Sequence, residues 1–572
     1  MSLIKEVEIY LNKVLEELDY ECECNLMKSQ VPSLGQFQIN VAMGLAKKYH
    51  KNPREIANTI VSKLDDRFTN VNIAGPGFIN VSLTDEYIIK YLNQVLNDFD
   101  VLVDKEQEKT IIIDYGGANA AKTLHVGHMR SANIGEALKR IATLFGNKVI
   151  GDVHLGDLGR QSGMLISELM LEQPNLVFFD PNYKGEYPKV NLTTEDLGRM
   201  YPKASLTAKS DPNRMEQVRK ITKEVEDGRR GYLELWKQMV EISSKSIKKT
   251  YNRLNCSFDL WEGEMSSLNY IDNTLKILKP YLKKSDGALV IDISKEEDKK
   301  ELPPLMVIKS DGSTKYETRD LATIYARIKN YHPNSIWYVV DERQSLNFTQ
   351  VFRGSYISSL VPKETELSFF GFGTINGPDG KPFKTRSGDV MPLDDLIELV
   401  KNEIKKKVKD NIPEEEKEEI IERLTIATIK YTDLLPFRKT DYIFDPIKFS
   451  SFEGKTGPYI MYTLVRCKSI LRNNPLSSYK LNIINDNIRD ICVKIVCLSK
   501  ELEKAYKNAS PNVICEYLFE ICNLYNKFYN DINITHEKDN ILKANYLSLT
   551  KLVSNVIEKL LDVLAIKSVE KM

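Results

Sequence analysis

Residues 111–131 constrain this chain more than any other stretch. Ile111, Ile112 and Ile113 form a β-branched apolar run of the kind that builds a buried strand. A loop of small residues, Gly116 to Ala121, comes next, and His125-Val126-Gly127-His128 follows it. A helical pattern then runs from Met129 to Phe145. Strand, tight loop and helix N-terminus together make a site for phosphate, because the first-turn N–H groups are free and the helix dipole is positive there. His125 and His128 add neutral or cationic donors at the same point. Gly127 has no Cβ, so a flat ring or a backbone can come close. A histidine pair in a loop can also be structural or bind metal. HxxH without a nearby third ligand is a poor zinc motif, however.

The totals set bounds around this site. At 572 residues the chain should fold as several domains, roughly three or four by the usual size rule. Hydrophobic residues make up 42%, enough for ordinary cores. Lys and Arg number 80 against 80 Asp and Glu, so a nucleic-acid partner would need a local basic face. The eight cysteines are scattered and form no CxxC pair, which argues against a zinc ribbon and fits a reducing cytosol. Cys22 and Cys24 read as surface thiols. There is no secretion-type apolar region and no 18-residue apolar run, so a cytoplasmic protein without membrane contact is expected.

Residues 1–105 read as a small α+β module. Leu3–Leu18 is an amphipathic helix, 36–40 a short strand, Val41–Tyr49 and Pro53–Leu64 helices, 71–83 a hairpin around Gly75-Pro76-Gly77, and Thr84–Phe99 a closing helix. Residues 106–449 alternate strands and helices, which predicts a parallel α/β sheet. Lys148–Asp152 is its second strand and leads into a loop of four glycines, 154–163. Residues 172–300 read as a charged helical insertion, with a hydrophilic stretch at 182–212. The sheet is expected to resume at Leu305–Ile308 and Ser335–Val340. A charged helix is expected over Lys401–Leu424, its acidic run a solvated face. Residues 450–572 carry almost no strand pattern. They read as a helical bundle with runs at Tyr459–Leu471, Ile488–Tyr506, Val513–Tyr529 and Tyr546–Leu564.

The stretch Ala118-Asn119-Ala120-Ala121-Lys122-Thr123-Leu124-His125-Val126-Gly127-His128-Met129-Arg130-Ser131 resembles the arginyl-tRNA synthetases, class I enzymes whose first signature contains the two histidines. The same family is resembled by His154-x-Gly156-Asp157-x-Gly159-x-Gln161-x-Gly163, by 311–322, by Asp341-Glu342-Arg343-Gln344, by 379–388, by 452–459 and by Gly75 to Asn80. These matches keep their order across nearly the whole chain. Three departures stand out. Lys384-Thr385-Arg386-Ser387-Gly388 replaces the usual second signature of the class. Gly116-Gly117-Ala118 replaces the family's common Ser and Pro. The 182–212 segment has no clear counterpart.

The resemblance implies a Rossmann-type catalytic domain with insertions, a small N-terminal α+β domain and an all-helical anticodon-binding domain. It implies arginine–tRNA ligase activity, with L-arginine, ATP with Mg²⁺, and tRNA(Arg) as the molecules handled, and a monomer. No protein-bound metal is expected. His125, Gly127 and His128 would hold ATP, with the histidines near the phosphates. Lys122 would help hold the phosphates in place of a missing signature lysine. Lys381 and Lys384 lie in a loop punctuated by Gly and Pro, as a phosphate clamp would, although residue chemistry alone makes them two surface lysines. Asp114, Tyr316 and Asp320 would bind the arginine side chain, since a guanidinium is best held by carboxylates. Asn119 and Gln344 would meet its polar end. Tyr459, Tyr462 and Arg466 pair stacking faces with positive charge, as unstacked RNA bases require, but core tyrosines are the equal alternative. Gln38, Phe78 and Asn80 would touch the tRNA elbow. Two other readings remain: another class I synthetase, and a tRNA-binding paralogue without catalysis. The absent zinc ligands disfavour cysteine, and the acidic pocket disfavours glutamate.

Overall fold

The structure is a computed structural model that describes residues 1–29, 31, 33–120, 122–381, 383, 391–408 and 413–572. Its contacts divide the chain into two compact units. One comprises 1–106, 409–420 and 451–572, and the other 107–408 and 421–450.

In the first unit, Ser2 caps helix α1 (Leu3–Glu17) by accepting from the Lys5 N–H, and the helix buries Leu3, Val7, Leu11, Val14 and Leu15 on one stripe. Strands β1 (Met27–Lys28) and β2 (Phe37–Ile39) precede helices α2 (Val41–Tyr49) and α3 (Pro53–Val61). The expected hairpin is β3 (Phe68–Ala74) and β4 (Phe78–Leu83). Gly75 at φ +55° and Gly77 at φ +146° form its turn. The sheet is antiparallel in the order β1-β2-β4-β3. Helix α4 (Asp85–Val95) stops four residues before Phe99, where a 3₁₀ turn begins.

The second unit opens with β5 (Thr110–Asp114), α5 (Val126–Leu144), β6 (Lys148–Asp152) and α6 (Arg160–Glu172). Helices α7 (Thr194–Ser210), α8 (Pro212–Glu226), α9 (Arg230–Arg253) and α10 (Glu264–Leu278) follow, then β7 (Lys283–Ser285), β8 (Ala288–Ile291), β9 (Leu305–Ile308), α11 (Tyr316–Tyr331), β10 (Ser335–Tyr338), α12 (Ser345–Ile357), β11 (Glu366–Phe369) and β12 (Ile375–Asn376). Four of these strands form a parallel sheet in the order β11-β10-β5-β6. The chain runs outward from β5 to β6 and, in the other direction, from β10 to β11. The switch point therefore lies between β5 and β10, and the crevice beyond their C-terminal ends is where such a sheet binds ligands.

Leu305–Ile308 departs from expectation. As β9 it joins β7 and β8 in a separate antiparallel sheet. A four-residue apolar run shows that a strand is buried but not which sheet takes it. Leu305 and Val307 still share one core with Ile112, Ile336, Leu321 and Ile324. A second core forms around the buried Trp236, with Leu165, Phe178, Leu197, Met200 and Ile221. The Trp236 indole N–H donates to the Asp157 carbonyl at 2.7 Å, tying α9 to the glycine-rich loop.

The helix expected over 401–424 is two helices, α13 (Leu393–Lys405) and α14 (Glu414–Leu434). Pro413 immediately precedes α14, and proline is poorly placed inside a helix. A short parallel pair joins β12 to β13 (Tyr442–Ile443), ahead of the turn of helix α15 (Pro446–Phe449). The tail holds α16 (Gly457–Asn473), α17 (Asp486–Val496), α18 (Leu498–Lys507), α19 (Asn512–Asp531) and α20 (Asn540–Val563). The run expected at 488–506 breaks at Cys497. Buried Ile488, Ile491, Ile495, Leu498 and Leu502 keep helical spacing across the break, so periodicity does not reveal it. Within the first unit Arg489 joins tail to N-terminal module, its Nε donating to Asp85 at 2.6 Å.

Candidate active site

His125 caps α5, and its ring folds back over the first turn. Its Nδ1 accepts from the Gly127 N–H at 3.1 Å, while His128 Nδ1 accepts from the His125 N–H at 3.0 Å. Two of the orphan donors of the helix start are satisfied in this way. A Cβ on Gly127 would lie 3.0 Å from His125 Cε1, so any larger residue would crowd that ring. Burial lowers the pKa of His125, helped by the Lys122 charge. Burial pushes His128 down to about 3, with His125 and Lys122 adding to the effect. Both rings are therefore neutral at pH 7. With each Nδ1 an acceptor, the proton sits on Nε2, and the pair presents two N–H donors.

The chain around the second signature returns to this helix start. Val126 N–H donates to the Met391 carbonyl and Leu393 N–H to the Leu124 carbonyl, at 3.3 and 2.9 Å, and Met391 N–H donates to Phe383. Lys384, with the rest of 384–390, lies outside the described residues. Lys381 is exposed in the turn after β12, its N–H donating to Asp379 Oδ1 at 3.1 Å.

Arg130, on the next turn of α5, is buried and ties these parts together. Its guanidinium donates to the carbonyls of Gly373, Thr374, Thr440 and Arg438 at 2.9–3.3 Å. Asp433 lies 3.7 Å from its Nε and accepts from Asn133 and Tyr442. One fork of donors thus fixes the first signature helix against the segments that lead into β12 and β13.

Across the switch point lies an acidic pocket. Tyr316 and Asp320 are one turn apart at the start of α11, as their spacing predicts. Burial pushes the Asp320 carboxyl up to about 6, while a hydrogen bond from Asn347 Nδ2 at 3.1 Å works the other way. Asp320 has no ion-pair partner among the described residues. Glu264 opens α10 nearby, and burial pushes it up to about 7, with Asp320 and Asp157 raising it further and Arg319 opposing them. Arg319 comes only to 3.8 Å of Glu264. Two partly buried acids whose burial opposes ionisation, one of them without an ion-pair partner among the described residues, are suited to receive a cation.

Asp114, expected to bind the arginine side chain, already has a cationic partner. It is buried at the end of β5, and its Oδ2 accepts from Arg327 Nη2 at 2.6 Å. The same nitrogen donates to Asp152 at 2.5 Å. Asp114, Asp152 and His154 cluster closely enough to suggest a cation site, but the fixed guanidinium already meets both carboxylates. They do not fit a metal ion. Asn119 bridges to Gly156, where a Cβ would come 2.5 Å from its Oδ1, so Gly156 makes room for that amide. Tyr316 is exposed, its ring 5.3 Å from the Arg319 guanidinium, and Gln344 is exposed ahead of α12.

Glu264, Arg327 and Asn347 escaped the sequence reading, and His154 entered it only as part of a motif. Glu264 stands in Glu262-Gly263-Glu264, inside the presumed insertion. Yet Leu155 N–H donates to Glu262, and Glu264 N–H to Leu155, beside the glycine-rich loop. The two acids flanking a glycine were the available signal.

In the first unit, Arg466 on α16 stacks between Tyr462 and Tyr529, 4.8 and 4.7 Å from their ring centres. Tyr462 is 44% exposed, so a stacking face is open. Tyr459 is half-buried and bonded to Asn523 and Asn526. Lys468 is neutralised by Glu558 and Glu570. Gln38 donates to Asn80 at 3.0 Å, and Asn80 to Asn72 at 3.2 Å. Asn80 is fully buried in this ladder, so it has no surface to offer RNA, and Phe78 is half-buried beside it. Alternation along β4 did not show that this side of the strand is covered.

The parallel sheet, its switch point and the paired imidazoles at a helix start define the catalytic domain of a class I aminoacyl-tRNA synthetase. Residues 91–446 match the family described as tRNA synthetases class I (R), catalytic domain. Residues 2–83 match the arginyl tRNA synthetase N terminal domain, and 460–572 the DALR anticodon binding domain. The chain is 44% identical to the arginine–tRNA ligase of Alkaliphilus oremlandii (strain OhILAs) over the full length of both. It is 41% identical to that of Agathobacter rectalis over 95% of each. The chain belongs to the arginyl-tRNA synthetase family. Its fold is that of arginyl-tRNA synthetase from Plasmodium falciparum, at TM-score 0.83 and 22% identity over 100% of this chain and 99% of the other. Thermus thermophilus arginyl-tRNA synthetase is similar, at TM-score 0.82 and 20% identity over all of both chains.

Proposed function

We infer that the chain is an arginine–tRNA ligase. It activates L-arginine with ATP and transfers it to the 3′-terminal adenosine of tRNA(Arg). The observation that carries the amino-acid specificity is Asp320, a carboxyl group that burial pushes up to about 6 and that has no ion-pair partner among the described residues, with the raised acid Glu264 acting on it. A guanidinium would let both ionise and accept its planar donors. Lysine has no such fork and would leave acceptors unpaired.

In the first step an arginine carboxylate oxygen attacks the ATP α-phosphorus, the bond to the β-phosphate bridging oxygen breaks, and pyrophosphate leaves. In the second a ribose hydroxyl attacks the arginyl carbonyl and AMP leaves. Neither step needs a covalent enzyme intermediate, so alignment and charge stabilisation are the protein's work. The Nε2–H groups of His125 and His128 are assigned to phosphate oxygens, with Gly127 beside the adenine. Lys122 is assigned the mobile positive charge, assisted by Lys381 and Lys384. Asn119 and Gln344 are assigned to the polar end of arginine, Tyr316 to the pocket mouth. Asp114, balanced by Arg327, forms the floor. Mg²⁺ would arrive on the ATP phosphates and supply further charge neutralisation there.

We assign the tail surface of Tyr462 and Arg466, with Tyr459 behind it, to tRNA bases, and Gln38 and Phe78 to the tRNA elbow. The proposed division is 1–105 for the elbow, 106–449 for catalysis and 450–572 for the anticodon. A cytoplasmic monomer is proposed. The eight free cysteines support a reducing compartment, and no helix among the described residues is long and apolar enough to cross a membrane.

ATP–pyrophosphate exchange across the amino acids, with and without tRNA, tests the reading. Exchange is expected with arginine alone and only when tRNA is present. Exchange driven by a different amino acid would overturn the specificity. Good tRNA binding without any exchange would favour a non-catalytic paralogue.

A further inference from the structure

Helix α7 lies in the one stretch, 182–212, to which sequence reasoning attached no role. It carries Tyr201, and the Lys122 ammonium lies 5.0 Å from the centre of that ring. Lys122 makes no ion pair among the described residues, so the ring face is its nearest defined partner. The contact is a cation–π attraction, strongest where water is thin. Lys122 is half-buried.

Tyr201 is itself held firmly. It packs against two core clusters, one that includes Leu197 and Met200 and one that includes Ala204 and Val218. The lysine has room. A cavity of about 30 Å³ opens beside it, lined by Lys122, Thr123, Thr194, Gly198, Thr250 and Asp394 among others. Asp394, the acid on this wall, lies within 3.4 Å of the Thr250 hydroxyl. A fixed ring beside a movable ammonium limits where that ammonium can go. The same ammonium already acts on both signature histidines, whose protonation it disfavours.

We propose that Tyr201 is a positioning residue for ATP: its ring, carried by the insertion, keeps the Lys122 ammonium beside the phosphate site formed by His125 and His128. This rests on the assignment of Lys122 to the ATP phosphates. It gives the insertion a direct part in activation. It also makes the ring, not the hydroxyl, the working part of the side chain.

Steady-state aminoacylation by the full chain with tRNA, ATP and arginine tests this with variants at Tyr201 and Lys122. Tyr201→Phe keeps the face and should match the parent. Tyr201→Leu removes it and should raise the ATP KM roughly threefold to thirtyfold, with the arginine KM within about twofold. In a Lys122→Met background, Tyr201→Leu should add nothing further. Should Tyr201→Leu lower the melting temperature, Tyr201→Met supplies an unbranched replacement of the lost bulk. Equal behaviour of the Leu and Phe variants overturns the proposal, as does an undiminished effect of Tyr201→Leu on top of Lys122→Met. An unchanged ATP KM in Lys122→Met alone overturns the role of Lys122 as well. A Lys122→Met effect beside an inert Tyr201→Leu overturns the positioning role only.

Discussion

His125 and His128 lie with ring centres 3.8 Å apart and planes tilted by 36°, and each spends its Nδ1 on a backbone N–H of the helix start they share. The arrangement decides protonation, tautomer and direction together. It makes the pair a rigid two-donor device that needs no reorganisation when charge develops on a phosphate oxygen.

Removing one donor should be costly to rate and cheap to binding. His128→Ala is expected to lower kcat by about 10²–10³, the usual loss of a preorganised donor. Gly127→Ala should act in the same direction through His125, because its Cβ would press on that ring. Single-turnover adenylate formation with tRNA present would measure both. A kcat unchanged in His128→Ala would remove the residue from catalysis.

Arginine capture should depend on Asp320 and Glu264 as acids. Asp320→Asn and Glu264→Gln keep shape and lose charge. Each is expected to raise the arginine KM roughly tenfold to a hundredfold, given the worth of a hydrogen bond to a charged group. Arginine KM from initial rates is the readout, and a value within twofold of the parent excludes that residue from the pocket.

Proton linkage follows from the same two acids. Their folded carboxyls sit at about 6 and about 7, and a bound guanidinium requires both ionised. Arginine affinity should therefore be flat above about pH 8 and weaken as pH falls through 7 and 6. Binding near pH 6.5 should release protons. Isothermal titration in buffers of differing ionisation enthalpy would count them, and a count of zero contradicts the assignment.

Acid should also weaken the fold through His128. Its folded pKa of about 3 lies below the ordinary value of 6.5, so the unfolded chain binds the proton first. The stability it contributes is complete above about pH 6.5 and is lost as pH falls toward 3. Between pH 7 and 5 the parent should lose about 2 kcal/mol more unfolding free energy than His128→Asn. Urea titrations at the two pH values give the comparison, and equal losses would refute it.

The strand at Ile111–Ile113, the helix after it and the placement of the tail helices were legible because they rest on local periodicity, which needs only neighbouring residues. Tyr316 and Asp320 came from the family resemblance, and the helix α11 puts them one turn apart. Glu264 was not legible. It reaches Asp320 only because residues 260–264 lie against 153–155, a pairing between distant segments that no local pattern announces. Asp114 was located correctly at the strand end, but its partner Arg327 is 213 residues away, so its charge balance could not be read. Asn80, proposed through the resemblance as an elbow contact, is fully buried, because what covers a strand face is set by tertiary packing and not by the strand's own sequence.

By itself the sequence determined what local chemistry determines: a phosphate-binding helix start with its two histidines, an α/β unit between an α+β module and a helical tail, and the ordered motifs of one enzyme family. Tertiary structure alone decided the protonation of those histidines, the pairing of Asp114 with Arg327, the second acid of the arginine pocket, and the meeting of Lys122 with Tyr201. Each of these depends on burial or on contact between residues far apart in the chain. Burial sets the cost of a charge, and long-range contact sets which charges are balanced, so both belong to the folded molecule.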